Sequence, residues 1–393
     1  MRKLFVINNP AFFIQQHAGV ADACLRRGEE VHVAAPDWAG AEQIQERGFF
    51  FHPIGLRRGR VNPLSELRSI GELVALYRNV KPDLVHQVTL KPILFGTLAA
   101  RLAKVPAVVN SNTGLGYLFI DESPLTRLMR GAFETSGRLS LRHPNQVDLF
   151  LNPDDRQEFV TRGLTTWERS IVITGPGVES DVFPYAPEPA EAEPIVLLPA
   201  RVLSHKGIRE FVEAAKVLRS EGVRARFVLA GEFDSGNHAA IPEEEVRSWV
   251  DRGYIEYWGH RTDMSAVLQR CAVCVLPSYR EGLGRVLVEA ALTGRALIAA
   301  NVPGCREVVR HGFNGLLVRP ADAGSLATAI RRLVGDRQLR DRFGAAGRLL
   351  AEQQFSLDVI VDQTLAVHDR VSASRRIYPV AVRPVLETEA DPL

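Results

Sequence analysis

Two carboxylates, Glu281 and Glu289, are separated by seven residues in the stretch Pro277-Ser-Tyr-Arg-Glu281-Gly-Leu-Gly-Arg-Val-Leu-Val-Glu289-Ala. The apolar run Val273 to Leu276 ends at Pro277, and a short loop then carries Glu281, Gly282, Leu283 and Gly284. Apolar residues at Val286, Leu287, Ala290 and Ala291 mark a helix that holds Glu289. A strand, a glycine loop and a helix N-terminus in succession make an anion site, because free backbone N–H groups and the helix dipole point the same way. Carboxylates on either side accept hydroxyl protons, so the stretch suits a hydroxyl-rich group joined to a phosphate. A sugar nucleotide has that chemistry. A surface ion pair with an ordinary helix cap gives the same local pattern.

A second cationic strand exit, Pro199-Ala-Arg201-Val-Leu-Ser-His-Lys206-Gly207, opens another helix. Arg201 and Lys206 can both meet anionic oxygens there, with Gly207 keeping the backbone clear. The loop is not a Walker A motif, and Glu210 offers itself as a competing partner for either cation. With the Glu281–Gly284 loop in the same half of the chain, diphosphate binding is the expectation. Gly259, His260 and Arg261 form a third exit, a seat for a nucleobase held by main-chain groups.

In the first half, the turn from Asn8 to Gly19 lacks G-x-G-x-x-G, which argues against a resident dinucleotide. His86 is read at a strand end before Lys91, where it could donate to or accept from a reacting hydroxyl, although a lone histidine is more often structural. Asn112 and Gly114 lie in the glycine-rich exit Asn110-Ser-Asn-Thr-Gly-Leu-Gly-Tyr117, which a plain tight turn also explains. Asn152-Pro-Asp-Asp155 reads as a helix cap, and no metal cluster is expected. Cys271 and Cys274 share an apolar strand and read as buried thiols.

These residues need elements to position them. Short apolar strands alternate with amphipathic helices almost throughout, the pattern of parallel β-α-β units covered on both faces. Among the expected helices are Phe13–Arg26, Pro63–Asn79 and Pro124–Leu141. The alternation pauses in the Pro/Ala/Glu-rich segment 183–194 and then restarts. The expected fold class is therefore α/β, two Rossmann-like doubly wound parallel-sheet domains facing a central cleft. Residues 1–182 would form the acceptor-side domain, 183–194 a hinge linker and 195–354 the nucleotide-sugar-binding domain. A helix over 355–371 and a flexible tail over 372–393 follow.

At 393 residues and a formal net charge of +2, nothing global marks nucleic-acid binding. The segment 54–104 is locally basic, with Arg57, Arg58, Arg60, Arg68, Arg78, Lys81, Lys91, Arg101 and Lys104. Arg127, Arg130, Arg138 and Arg142 add charge beside Leu125, Leu128 and Met129, which fits attachment to an anionic bilayer surface or a packed helix with a solvated face. The apolar run Leu4–Ile7 reads as a core strand rather than a signal peptide, so the chain is expected in the cytoplasm, peripheral on the inner membrane face.

Arg201-x4-Lys206-Gly207 followed by Glu281-Gly-Leu-x5-Glu289-Ala resembles the E-x7-E retaining glycosyltransferases of family four, which have the GT-B fold. The resemblance extends through His86-x2-Thr89-x-Lys91-Pro92, Thr113-Gly-Leu-Gly-Tyr117, Asn152-Pro-Asp-Asp155, Pro303-Gly-Cys-Arg-Glu307 and Asn314-Gly-Leu-Leu-Val318. Its flanking motifs are similar to those of bacterial enzymes that build capsule, exopolysaccharide, O-antigen or lipid-linked oligosaccharides. The resemblance implies that Arg201 and Lys206 neutralise the donor diphosphate without a metal or other cofactor. It further implies that Glu289 accepts the ribose hydroxyls and Glu281 the sugar hydroxyls, with Gly282, Leu283 and Gly284 at the sugar and phosphate. Gly259, His260 and Arg261 would border the base, and His86 the sugar or acceptor. Lys91, Asn112 and Gly114 would stand on the acceptor side.

The function expected is transfer of a hexose or N-acetylhexosamine from a nucleotide donor, UDP-linked, to a lipid-linked glycan. A GT-B sugar-nucleotide epimerase and a non-catalytic sugar-nucleotide-binding subunit are the alternatives.

Overall fold

The computed structural model describes residues 1–56, 63–114, 123–190, 193–237 and 239–373. Arg57, Arg58, Arg60, Tyr117 and the expected tail from residue 374 lie outside the described residues. The chain forms two compact units. Among the described residues, 1–112, 123–173 and 364–373 make the first, and 113–114 with 174–363 make the second.

The strands of the first unit are β1 (Arg2–Val6), β2 (Glu30–Ala35), β3 (Phe50–Pro53), β4 (Leu84–Val88), β5 (Ala107–Asn112), β6 (Gln146–Phe150) and β7 (Ser170–Val172). They pair in parallel in the order β3-β2-β1-β4-β5-β6-β7. Helices α1 (Pro10–Gln16), α2 (Ala18–Arg26), α3 (Ala41–Glu46), α4 (Pro63–Val80), α5 (Leu90–Ala103), α6 (Pro124–Ser140) and α7 (Pro153–Thr161) link them. The central strands β4 and β5 are buried on both faces, as in a parallel sheet covered on both sides, and they bury the polar residues His86, Gln87, Asn110 and Asn112 with them.

The second unit repeats the plan with β8 (Ile195–Pro199), β9 (Arg226–Ala230), β10 (Glu256–Tyr257), β11 (Val273–Leu276), β12 (Ala296–Ala300) and β13 (Gly315–Val318). Their order is β10-β9-β8-β11-β12-β13, again parallel. Helices α8 (Ile208–Ser220), α9 (Glu243–Asp251), α10 (Met264–Arg270), α11 (Arg285–Leu292), α12 (Ala323–Gly335) and α13 (Arg337–Gln354) cover it. The strand order reverses between β8 and β11, and the crevice beyond the carboxyl ends of such a pair is where ligands bind in open α/β sheets. The last helix, α14 (Leu357–Ala373), belongs to the second unit up to Gln363 and to the first from Thr364. Its end is tied into the first unit by Arg27 to Asp369 at 2.9 Å and by Asn145 Nδ2 donating to the Val371 carbonyl at 2.9 Å.

Three expectations change. The single helix expected over Phe13–Arg26 is two. Asn9 caps α1 through its side chain and Pro10 takes the first helical position, so the helix starts early; His17 then breaks it with φ −127°. Segment 183–194 is not a free linker in its described part, because it is held to the second unit. Arg340 makes a two-pronged ion pair with Glu188, at 2.8 and 2.6 Å, Arg295 donates to the Ala186 carbonyl, and Arg348 donates to that of Phe183. The compact unit accordingly begins at Thr174 and not at residue 195.

The third concerns His86. It is the middle residue of β4, not its end, and only 1% of it is exposed. Its Nε2 lies 2.6 Å from Ser111 Oγ and its Nδ1 lies 3.0 Å from His368 Nε2, with the Phe5 and His17 rings packed alongside. Burial holds His86 and His368 well below the usual imidazole range and His17 down to about 4, and the buried Lys3 adds repulsion for His86 and His368. An unfolded chain takes up these protons near pH 6.5, on the order of the free imidazole value. Between that value and about 4 the unfolded state therefore binds more protons than the folded one at His17, and stability falls as pH drops. Asp148, whose carboxyl burial pushes up, opposes this in the more acid part of the window. Denaturant titrations should show the first unit losing at least about 1 kcal/mol per pH unit below roughly pH 6.5. A midpoint that is flat from neutral to mildly acid pH would contradict neutral buried histidines.

Candidate functional site

The second unit brings its two chemically marked strand exits together at the switch point. After β8, the chain passes through Arg201 and a short 3-10 turn, Ser204–Lys206, and then Gly207 adopts a left-handed conformation, φ 72° and ψ 26°. A Cβ at Gly207 would stand 2.2 Å from the Pro277 carbonyl oxygen. Only glycine lets the start of α8 lie against the exit of β11. The two loops are laced further by Tyr279 N–H donating to the His205 carbonyl at 2.9 Å and by Tyr279 O–H donating to Glu210 at 2.7 Å. Glu210, read from sequence as a rival partner for the cations, thus serves the lacing.

Across this seam Lys206 Nζ donates to Glu281 Oε1 at 2.5 Å, with both side chains mostly buried at 16% and 14% exposure. A compact ammonium and a carboxylate meet where the two strand exits adjoin. One can turn to phosphate oxygens and the other to sugar hydroxyls when the pair opens. The Glu281 loop is braced from behind by the next exit. Glu281 N–H donates to Pro303 at 3.3 Å and Gly284 N–H to Gly304 at 3.2 Å. Gly304 has φ +78°, and a Cβ there would lie 2.5 Å from the Glu281 carbonyl oxygen. Gly284 then serves as the N-cap of α11. Gly282 is equally crowded, since a Cβ would fall 2.5 Å from the Thr113 carbonyl oxygen, and Gly114 at φ +113° sits beside it within the same unit.

The other expected residues are placed as follows. Glu289 is buried on the second turn of α11 and accepts from Arg285 Nε at 2.9 Å. Burial pushes its carboxyl up, while Arg285 pulls it back down. Arg201 reaches Asp234 at 2.9 Å and is 42% exposed. Gly259, at φ +69° with open space around it, His260 and Arg261 follow the edge strand β10, two strands from β8. His260 faces Glu232 at 3.7 Å and Arg261 pairs with Asp263 at 2.6 Å.

In the first unit, Lys91 pairs with Glu66 at 2.8 Å. Asn112 ends β5 with its Nδ2 on the Leu149 carbonyl, and its buried Oδ1 has no partner among the described residues. Asn152 caps α7 by accepting from Asp155 N–H at 2.8 Å, as read. Cys271 and Cys274 are buried thiols, with Cys271 pushed up to about 12.

Sequence reading missed two features. Arg285 holds Glu289, and its position four residues before a helical carboxylate was the available signal. At the switch point of the first sheet, Thr89 takes the strained φ of 73° and its hydroxyl donates to Asn8 Oδ1 at 3.0 Å. No local pattern announces that contact across 81 positions. Among the described residues, no helix is long and apolar enough to cross a membrane, and no group of three or more His, Cys, Asp or Glu could hold a metal ion.

Comparison with known proteins agrees with this architecture. A family model described as glycosyl transferases group 1 matches residues 183–350, and one described as glycosyl transferase 4-like matches 4–139. The chain is 30% identical over 365 residues to the N,N'-diacetylbacillosaminyl-diphospho-undecaprenol alpha-1,3-N-acetylgalactosaminyltransferase of Campylobacter jejuni, covering 90% of this chain and 94% of that relative. It is 25% identical over 302 residues to the UDP-Gal:alpha-D-GlcNAc-diphosphoundecaprenol alpha-1,3-galactosyltransferase of Escherichia coli, covering 74% and 76%. Among solved structures, Anabaena HepE in complex with UDP superposes with a TM-score of 0.77 at 20% identity, covering 94% of this chain and all of the other. That likeness is one of fold.

Proposed function

The chain belongs to the glycosyl transferases group 1 family, and on that premise we propose that it moves a hexose or N-acetylhexosamine from a UDP-linked donor to a lipid-linked glycan, with retention at the anomeric carbon. The observation that carries the reading is the Lys206–Glu281 pair, seated between two glycine-walled strand exits at the switch point of the second sheet. Both relatives named above act, by their names, on sugars joined to polyprenyl diphosphates, which supports the acceptor class.

In the proposed step, the anomeric C–O bond to the diphosphate breaks and its electron pair leaves with the nucleotide. The acceptor hydroxyl oxygen bonds to the same carbon on the same face, and its proton passes to the departing phosphate oxygen. Lys206, released from Glu281, and Arg201 stabilise the charge that develops on that phosphate, the work a metal does elsewhere. Glu281 then orients sugar hydroxyls and Glu289 the ribose. Buried as it is, His86 supports the first unit's sheet rather than touching the sugar in this proposal.

We further propose that α6 rests on an anionic bilayer. It exposes Leu128, Met129 and Leu139 beside Arg127 and Arg138. Lys91 and Arg68, counted for this purpose from sequence, are ion-paired, and Arg138 also shares Glu134 at 3.9 Å while donating to the Arg162 carbonyl.

The test is nucleotide release from a donor panel, with a polyprenyl-diphosphate-linked sugar carried in neutral or anionic vesicles. Release that requires the acceptor and rises on anionic vesicles supports both parts. Donor epimerised without acceptor would replace the reaction, and equal rates on the two vesicles would remove the membrane contact.

A further inference from the structure

The position of Arg285 is unfavourable for a helix on its own terms. It is the first residue of α11, where the dipole repels cations, and it precedes its i,i+4 carboxylate, which is the poorer order for such a pair. Helix stability does not account for it. What the arginine does is reach a carboxylate that is almost wholly buried, Glu289 being 9% exposed as a residue, and donate to it at 2.9 Å.

A buried carboxylate without a partner takes up a proton, and a protonated one accepts hydroxyls poorly. The other charged or titratable groups on the elements packed against Glu289 do not supply that partner. Cys274 on β11 is a thiol raised by burial and by Glu289 itself. Arg348 on α13 donates to the Leu292 carbonyl and pairs with Glu352, and Arg270 on α10 stacks over Trp258. Among the described residues, it is Arg285 that bonds the Glu289 carboxylate.

We propose that Arg285 is a positioning residue for nucleotide recognition: by its ion pair on α11 it keeps Glu289 ionised and oriented to accept the two ribose hydroxyls of the donor. This rests on the reading of Glu289 as the ribose acceptor and deepens it. The arginine touches the nucleotide only through Glu289, so its loss acts on donor affinity and in a pH-dependent way.

The experiment is calorimetric binding of UDP and 2′,3′-dideoxy-UDP to the full chain carrying Arg285→Gln, Arg285→Lys or Glu289→Gln, at about pH 6.5 and about pH 9. Arg285→Gln should weaken UDP about tenfold at the lower pH, on the order of one charge-assisted hydrogen bond, and recover most of it at the higher pH. It should bind the dideoxy nucleotide like the unaltered chain. Arg285→Lys should stay close to the unaltered chain, and serves where the glutamine variant does not fold. Equal weakening of both nucleotides at both pH values would make Arg285 a phosphate contact and overturn the proposal, as would no weakening at all. Glu289→Gln binding both nucleotides as tightly as the unaltered chain would instead remove the ribose reading itself, whatever the Arg285 variants do.

Discussion

Lys206→Ala should lower sugar transfer about a hundredfold to a thousandfold, the range seen when one preorganised charge-stabilising group is removed from a reacting centre. The reason lies in where the ammonium is held. It is only 16% exposed, in the 3-10 turn just ahead of α8, and its partner in this structure is a carboxylate that the donor sugar would take over. In so sheltered a place a single charge would act on the departing diphosphate of the proposed reaction with little screening by water. Removing it should affect turnover more than donor affinity, because the charge it meets grows as the glycosidic bond breaks. Glu281→Ala should fall in the same assay, with a larger share of the loss in the donor KM. Initial rates across donor concentrations separate the two. Near-normal transfer by both variants would mean that this pair has no part in the chemistry.

Glu188→Ala should destabilise the second unit by about 3–5 kcal/mol, the cost of leaving a buried charge without its partner. Glu188 meets the Arg340 guanidinium with both oxygens, and the two side chains are 9% and 6% exposed. The remaining guanidinium nitrogen donates to the Leu333 and Val334 carbonyls at 2.5 and 2.9 Å, so Arg340 cannot turn to water without giving those up. Arg295 and Arg337 still hold residues 186–188 by their carbonyls after this change, so the loss is that of the ion pair itself. Urea midpoints measure the effect. A loss below about 1 kcal/mol would mean that the pair is solvated like a surface bridge.

That pair also shows where sequence reading stops. Segment 183–194 has the composition of a linker, and nothing within it suggests attachment, because its partners lie more than a hundred residues downstream. Strands such as Ile195–Pro199, Val273–Leu276 and Ala296–Ala300 are legible because they are apolar runs buried on both faces of a parallel sheet. Glu281 and Lys206 were legible because each follows such a strand and precedes a helix. His86 was misplaced for the opposite reason. The polar pair His86-Gln87 inside Leu84–Val88 resembles a strand terminus, whereas His86 is buried against Ser111 and against His368 of α14. Local pattern gives the strand exits. Which charges meet across them is a property of the folded unit.

The central claim is that the second unit's Lys206–Glu281 seam presents a nucleotide sugar for front-face transfer. The most direct measurement is the anomeric configuration of the sugar on the lipid-linked product, read from the proton coupling of that carbon after reaction with an α-linked UDP donor. The account predicts an α-linked product from the unaltered chain and almost none from Lys206→Ala. A β-linked product, or an α-linked one formed equally well without Lys206, would contradict it.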